Sequence, residues 1–185
     1  DVIIVSTGAV PRLPDVEITD MQFLSAWSVI AGQKPVGQNV VIADWSSDWS
    51  GLGVAHMLAL SGHKVRLLSG ASTCGELIPA IVRDQWVGEL ESLNVELTCY
   101  ARFFGAQGRT AFFQHTINGE AIICEDVDAI VSCYPPQSNN DCDWMSDLIT
   151  PDNPSLQIKK IGDALAPRTV EEAVLEGVKA AWSIR

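Results

Sequence analysis

Residues 40–55, VVIADWSSDWSGLGVA, decide how this chain is read. Val40-Val41-Ile42-Ala43 is an unbroken apolar run, the pattern of a strand covered on both faces. Leu52, Ala55 and Ala59 share one helical face and predict a helix over Gly51–Leu60, ended at Gly62. Val65-Arg66-Leu67-Leu68 reads as the next strand. Strand, helix and strand with short connections form a βαβ unit with a right-handed crossover, so the class is α/β with a Rossmann-like parallel sheet.

Downstream, Ile78, Ile81, Val82, Trp86, Leu90 and Leu93 recur at helical spacing, predicting an amphipathic helix on that sheet, and Val95–Cys99 reads as a third parallel strand. The pattern then changes. Ala101–Phe104, Thr110–Ile117 and Glu120–Cys124 are short and partly alternating, punctuated by Gly105, Gly108 and Asn118-Gly119, a two-residue hairpin signal. An antiparallel meander is therefore inserted before a buried strand at Val127–Cys133. Tyr134–Pro154 reads as irregular, Leu156–Ile161 as a strand and Gly162-Asp163 as a turn. Thr169–Ile184 reads as a helix with Val170, Ala173, Val174, Gly177 and Ala181 facing inward and a capping box from Thr169 to Glu172.

Upstream, Val2-Ile3-Ile4-Val5 is a buried-type strand, followed by Ser6-Thr7-Gly8-Ala9, a short helix over Met21–Ala31 and a linker over Gly32–Gly37. An apolar strand that starts at residue 2 is expected of a chain whose sheet continues in an upstream segment.

Of 185 residues, 47% are apolar, enough for a core, and 12 basic against 23 acidic residues give a net charge of −11. That charge repels phosphate backbones and anionic lipid, so nucleic acid and membrane surfaces are excluded as partners, and no apolar run reaches the ~18–20 residues of a membrane span. The five cysteines are odd in number and hold no CxxC pair, which reads as isolated reduced thiols in a cytoplasmic protein. Neither they nor His56, His63 and His115 have metal-site spacing. A homo-oligomer is compatible with this composition.

A dinucleotide fingerprint needs G-x-G-x-x-G directly after the first strand. Here Asp44-Trp45-Ser46-Ser47-Asp48-Trp49-Ser50 intervenes before Gly51, so one glycine of the three remains and two carboxylates stand where a diphosphate would bind. Like charges ~4 Å apart repel by roughly 1 kcal/mol even in water. Leu67-Leu68-Ser69-Gly70 also lacks the acidic residue that would hold a ribose. NAD(P)H is therefore not expected in this part of the chain. Trp45 and Trp49 read either as a partner-docking surface or as packing against a neighbouring lobe. Cys133, in Val131–Gln137, reads as a structural thiol.

Thr7-Gly8 closes a strand, where open α/β sheets bind ligands, or is an ordinary turn. Gly162-Asp163 precedes a helix and offers N–H groups to a ligand, or Asp163 simply caps.

Val2–Ala9 together with Ile161–Ala173 resembles the C-terminal half of two-dinucleotide-domain flavoproteins, and more narrowly the trimethylamine dehydrogenase and 2,4-dienoyl-CoA reductase family. Gly51–Ala55 before Gly62–Val65 belongs to the same pattern. The resemblance implies that residues 1–37 and 135–185 are part of an FAD- or ADP-binding domain, incomplete at its N-terminus, and that 38–134 are an inserted NAD(P)-like domain. It implies that Thr7, Gly8, Gly162 and Asp163 contact the nucleotide, Asp163 at its sugar or ribityl part, and that Arg168 neutralises Asp163, approaches the flavin or forms a surface ion pair. FMN and an iron–sulfur cluster (4Fe–4S) would lie in an N-terminal catalytic part. Loss of nicotinamide binding suits the amine-dehydrogenase branch, whose electrons pass to an electron-transfer flavoprotein. An NADPH-dependent dienoyl-CoA reductase and a non-catalytic interaction domain are the alternatives.

Overall fold

The computed structural model describes residues 1–150 and 154–184. In chain order the elements are β1 (Val2–Val5), β2 (Ala9–Val10), β3 (Glu17–Thr19), β4 (Gln22–Ser25), α1 (Ala26–Ile30), β5 (Asn39–Asp44), α2 (Trp49–Leu60), β6 (Lys64–Ser69), α3 (Ala80–Ser92) and β7 (Glu96–Thr98). There follow β8 (Ala101–Gln107), β9 (Thr110–His115), β10 (Ala121–Cys124), β11 (Ala129–Cys133), β12 (Gln137–Ser138), β13 (Gln157–Lys160) and α4 (Val170–Trp182). They divide into two compact units, Asp1–Arg12 with Pro135–Arg185, and Leu13–Tyr134.

The second unit is built on a five-stranded, all-parallel sheet in the order β4-β11-β5-β6-β7. The expected βαβ unit is β5-α2-β6, and α3 and β7 extend it. One sheet face carries Val40, Ile42, Leu67 and Val131 against Leu52, Val54, Ala55 and Leu58 of α2 and Leu90 of α3. The other carries Val41, Ala43, Leu68 and Ile130 against Ala101, Phe103, Ala111 and Phe113 of the meander. Burial on both sides is why β5 and β11 are nearly continuous apolar runs rather than alternating ones.

Several expectations need correction. Within the helix expected at Met21–Ala31, Gln22–Ser25 form an edge strand parallel to β11, and the helix is only Ala26–Ile30, capped by Ser25. Segment 13–37 thus packs with the second unit, not with residues 135–185. Ile81 is 84% exposed, while Ile78 is buried just before α3 starts. The tight two-residue turn is Gly108-Arg109, between paired Gln107 and Thr110, whereas Asn118-Gly119 lies in a longer loop between β9 and β10.

β3 adds to the meander by pairing in parallel with β8, and Gly105 makes this possible. Its φ is +145°, and a Cβ there would lie 2.5 Å from the backbone oxygen of Glu17.

In the first unit, β1 and β13 pair in parallel and β2 and β12 antiparallel. Ile4 is exposed, so β1 lacks the two-sided cover expected of it. The irregular segment contains β12 and a 3-10 turn over Asp143–Leu148; residues 151–153 lie outside the described residues. On α4 the side turned inward carries Glu172, Ala173, Glu176, Gly177 and Ala180. Val170 (79% exposed), Val174 and Ala181, expected inward, face outward. The capping box is present, the Thr169 N–H reaching the Glu172 carboxylate at 3.1 Å.

Replacing Gly105 by alanine is expected to cost ~1–3 kcal/mol of unfolding free energy, because backbone rather than a flexible side chain blocks the methyl group. Denaturant unfolding of the variant checks this.

Candidate functional site

In the second unit the strand order reverses between β5 and β11, and the crevice outside their carboxyl ends is where open α/β sheets take ligands. Asp44, the last residue of β5, is 2% exposed. Its Oδ1 accepts the Ser47 N–H at 2.9 Å, while Oδ2 is buried with no hydrogen-bond partner among the described residues. The carboxyl group lies against the first turn of α2, since a Cβ on Gly51 would stand 2.7 Å from its Cγ and Oδ2. Burial drives the Asp44 pKa from 3.8 up to about 7, opposed by the Ser47 N–H and reinforced by the nearby Asp48.

Ser47, at φ +51°, holds the neighbouring loop. Its Oγ accepts the Glu76 N–H at 3.0 Å and donates to the Thr73 carbonyl at 3.3 Å, and its carbonyl accepts the Leu77 N–H at 3.0 Å. Asp48 is the N-cap of α2, accepting the Ser50 N–H at 2.8 Å; an aspartate ahead of a helical pattern is a signal that could have identified it.

Trp45 donates its backbone N–H to the Cys133 carbonyl at 2.8 Å, stacks on Tyr134 with ring centroids 6.4 Å apart, and lies over Gly70, where a Cβ would come within 2.4 Å of the indole. The space beside Gly51 and over Gly70 is therefore taken by this chain's own side chains. Trp45 and Trp49 remain 43% and 54% exposed. Cys133 is wholly buried, and burial first, then Asp44 and Asp48, raises its thiol well above the usual range.

In the first unit, Thr7-Gly8 and Gly162-Asp163 follow β1 and β13, so they stand at the carboxyl ends of neighbouring parallel strands. Thr7 Oγ1 donates to the Asn139 carbonyl at 3.2 Å. Gly8 adopts φ +74° with open space where a side chain would project. Gly162 adopts φ +60°, and its N–H donates to the Glu176 carboxylate at 2.7 Å. Asp163 Oδ1 accepts the Arg168 backbone N–H at 3.2 Å. The Arg168 guanidinium pairs with Glu176, and the bond from Arg168 to Asp163 runs through its backbone N–H. That pairing and the Gly162 N–H hold the Glu176 carboxyl below its usual pKa. Fourteen residues separate Glu176 from Gly162, so sequence spacing gave no sign of it.

Among the described residues no helix is long and apolar enough to cross a membrane, and no group of three or more His, Cys, Asp or Glu is placed to hold a metal ion.

Because the folded chain keeps a proton on Asp44 that the unfolded chain has released between pH ~4 and ~7, stability contributed by this group is full below that window and falls as pH rises through it. Unfolding measured at pH 4–8 is expected to show Asp44→Asn gaining on the parent by an amount on the order of a few kcal/mol across the window. A constant difference would mean that Asp44 titrates normally.

No family model matches this sequence. A probable N-methylproline demethylase of Rhizobium meliloti (strain 1021) is 23% identical over 206 residues, covering 97% of this chain and 30% of that protein. Among solved structures, histamine dehydrogenase from Rhizobium sp. 4-9 superposes with a TM-score of 0.86 at 19% identity, over 98% of this chain and 30% of its own. A 2-naphthoyl-CoA reductase gives 0.77 at 18%, over 97% and 26%. The chain thus spans about 30% of the length of the curated relative it matches. Over nearly its whole length it resembles, in sequence and in fold, one region of the trimethylamine dehydrogenase and 2,4-dienoyl-CoA reductase family.

Proposed function

We propose that this chain is the nucleotide-binding region of a cytoplasmic flavin and iron–sulfur oxidoreductase of the amine or N-methyl dehydrogenase type, which holds ADP or FAD in its first unit and no NAD(P)H in its second. The observation that carries this reading is the filled crevice of the second unit. A diphosphate needs the backbone N–H groups at the start of the helix and room beside them. Asp44 occupies that room next to Gly51, and Trp45 covers Gly70, where the adenosine end would lie.

The first unit offers the opposite situation. Gly8 leaves backbone open to close approach, and Asp163 retains a half-buried carboxylate suited to sugar hydroxyls. In this reading Thr7, Gly8, Gly162 and Asp163 hold the nucleotide, while Arg168, drawn to Glu176, fixes the turn that presents them. A bound flavin would supply the hydride chemistry, together with FMN and the 4Fe–4S cluster in an N-terminal catalytic part. The outward apolar side of α4, with Val170, Val174, Leu175, Val178 and Trp182, supports docking against that part. Exposed Trp45 and Trp49 support an electron-transfer flavoprotein as the acceptor.

Heat release and chromatography of nucleotides from the intact protein are expected to yield ADP or FAD, lost from the Asp163→Ala variant, with no rise in melting temperature as NADPH is added. A concentration-dependent rise with NADPH would instead favour the dienoyl-CoA-reductase type, and an intact protein devoid of nucleotide, flavin and iron would favour a non-catalytic interaction domain.

A further inference from the structure

The cysteines are not all isolated. All five are free, but Cys74 and Cys99, 25 residues apart, bring their Sγ atoms to 3.9 Å. Cys74 lies in the loop between β6 and α3, and Cys99 directly follows β7. The two segments are held together independently of the thiols, by the Tyr100 N–H donating to the Ala71 carbonyl at 2.9 Å. Cys74 is 3% exposed and belongs to the core beneath α2 and α3, whereas Cys99 packs at the margin of that core and is half-buried.

We infer that Cys74 and Cys99 form a dithiol that a low-molecular-weight disulfide can oxidise to an intramolecular cross-link. A disulfide bond is about 2.05 Å long, so the sulfurs have to close by about 1.9 Å. Cys74 can supply this movement, since it stands in irregular chain between Ser69 and Ala80 rather than within a strand or helix.

Cys99, the accessible thiol, reacts first. Its thiolate attacks one sulfur of oxidised glutathione, the reagent's S–S bond breaks, and one glutathione thiol leaves. The Cys74 thiolate then attacks Cys99 Sγ and expels the second glutathione. The protein loses two protons and two electrons, and one disulfide reagent becomes two thiols. Burial, and then the adjoining Cys99, push the Cys74 thiol upward, so the second step is the slow one and quickens with rising pH. The cross-link ties the β6–α3 loop to the end of β7. Through the Thr73, Glu76 and Leu77 bonds to Ser47, it also ties down the loop that carries Asp44 and Trp45.

The sequence makes the test direct, because trypsin places the two residues in separate peptides, 67–83 and 84–102. The intact native protein is incubated with oxidised glutathione, acid-quenched and digested without reductant. The expected result is a linked 67–83/84–102 peptide that disappears with dithiothreitol, with Cys74→Ser arresting the reaction as a glutathione adduct on Cys99. An adduct that stays on Cys99 in the parent chain, linkage of either residue to Cys124, Cys133 or Cys142, or both thiols remaining free overturns the inference.

Discussion

A parallel sheet covered on both faces takes nearly every side chain of β5 and β11 out of water, including the last residue before the chain turns. In β5 that residue is Asp44, and much of the second unit is arranged around its carboxyl group. One oxygen is met by the Ser47 N–H, which draws Ser47 into a left-handed conformation; the Ser47 hydroxyl then bonds both Glu76 and Thr73 and so shapes the loop after β6. The other oxygen has no partner among the described residues, a cost that burial of a neutral acid lowers and burial of an anion magnifies. An internal acid thus lies against the first turn of α2, beside Gly51.

The parallel unit was legible because its strands announce themselves as unbroken apolar runs, and the meander because Gly105 and Gly108 interrupt short alternating segments. Gln22–Ser25 was not. Four residues followed directly by a helix carry too little periodicity to separate strand from helix, and pairing with β11 decides the matter. The face of α4 was misread for a related reason. Hydropathy favours Val170 and Val174 as the inward side, but Glu172 is committed to the N-cap and Glu176 to Gly162 and Arg168, and these polar bonds set the helix's rotation.

For the site, the sequence showed that an acidic, tryptophan-bearing segment replaces the glycine loop, but not which carboxylate turns inward. Asp44 and Asp48 read as two similar carboxylates in one loop, and the fold gives them different tasks, one buried with its pKa raised, the other capping α2. The juxtaposition of Cys74 with Cys99 depends on β6 and β7 being neighbours in register, which spacing along the chain does not encode.

The pairing of β1 with β13 joins Val2 to Gln157, with the whole second unit lying between them in the sequence. During synthesis from the N-terminus, residues 13–134 leave the ribosome complete while most of the first unit, residues 135–185, has yet to be made. The strand pairs of the insert are therefore all available before β13, the parallel partner of β1, has been made. Closure of the first unit by β1 and β13 is thus the later of the two events.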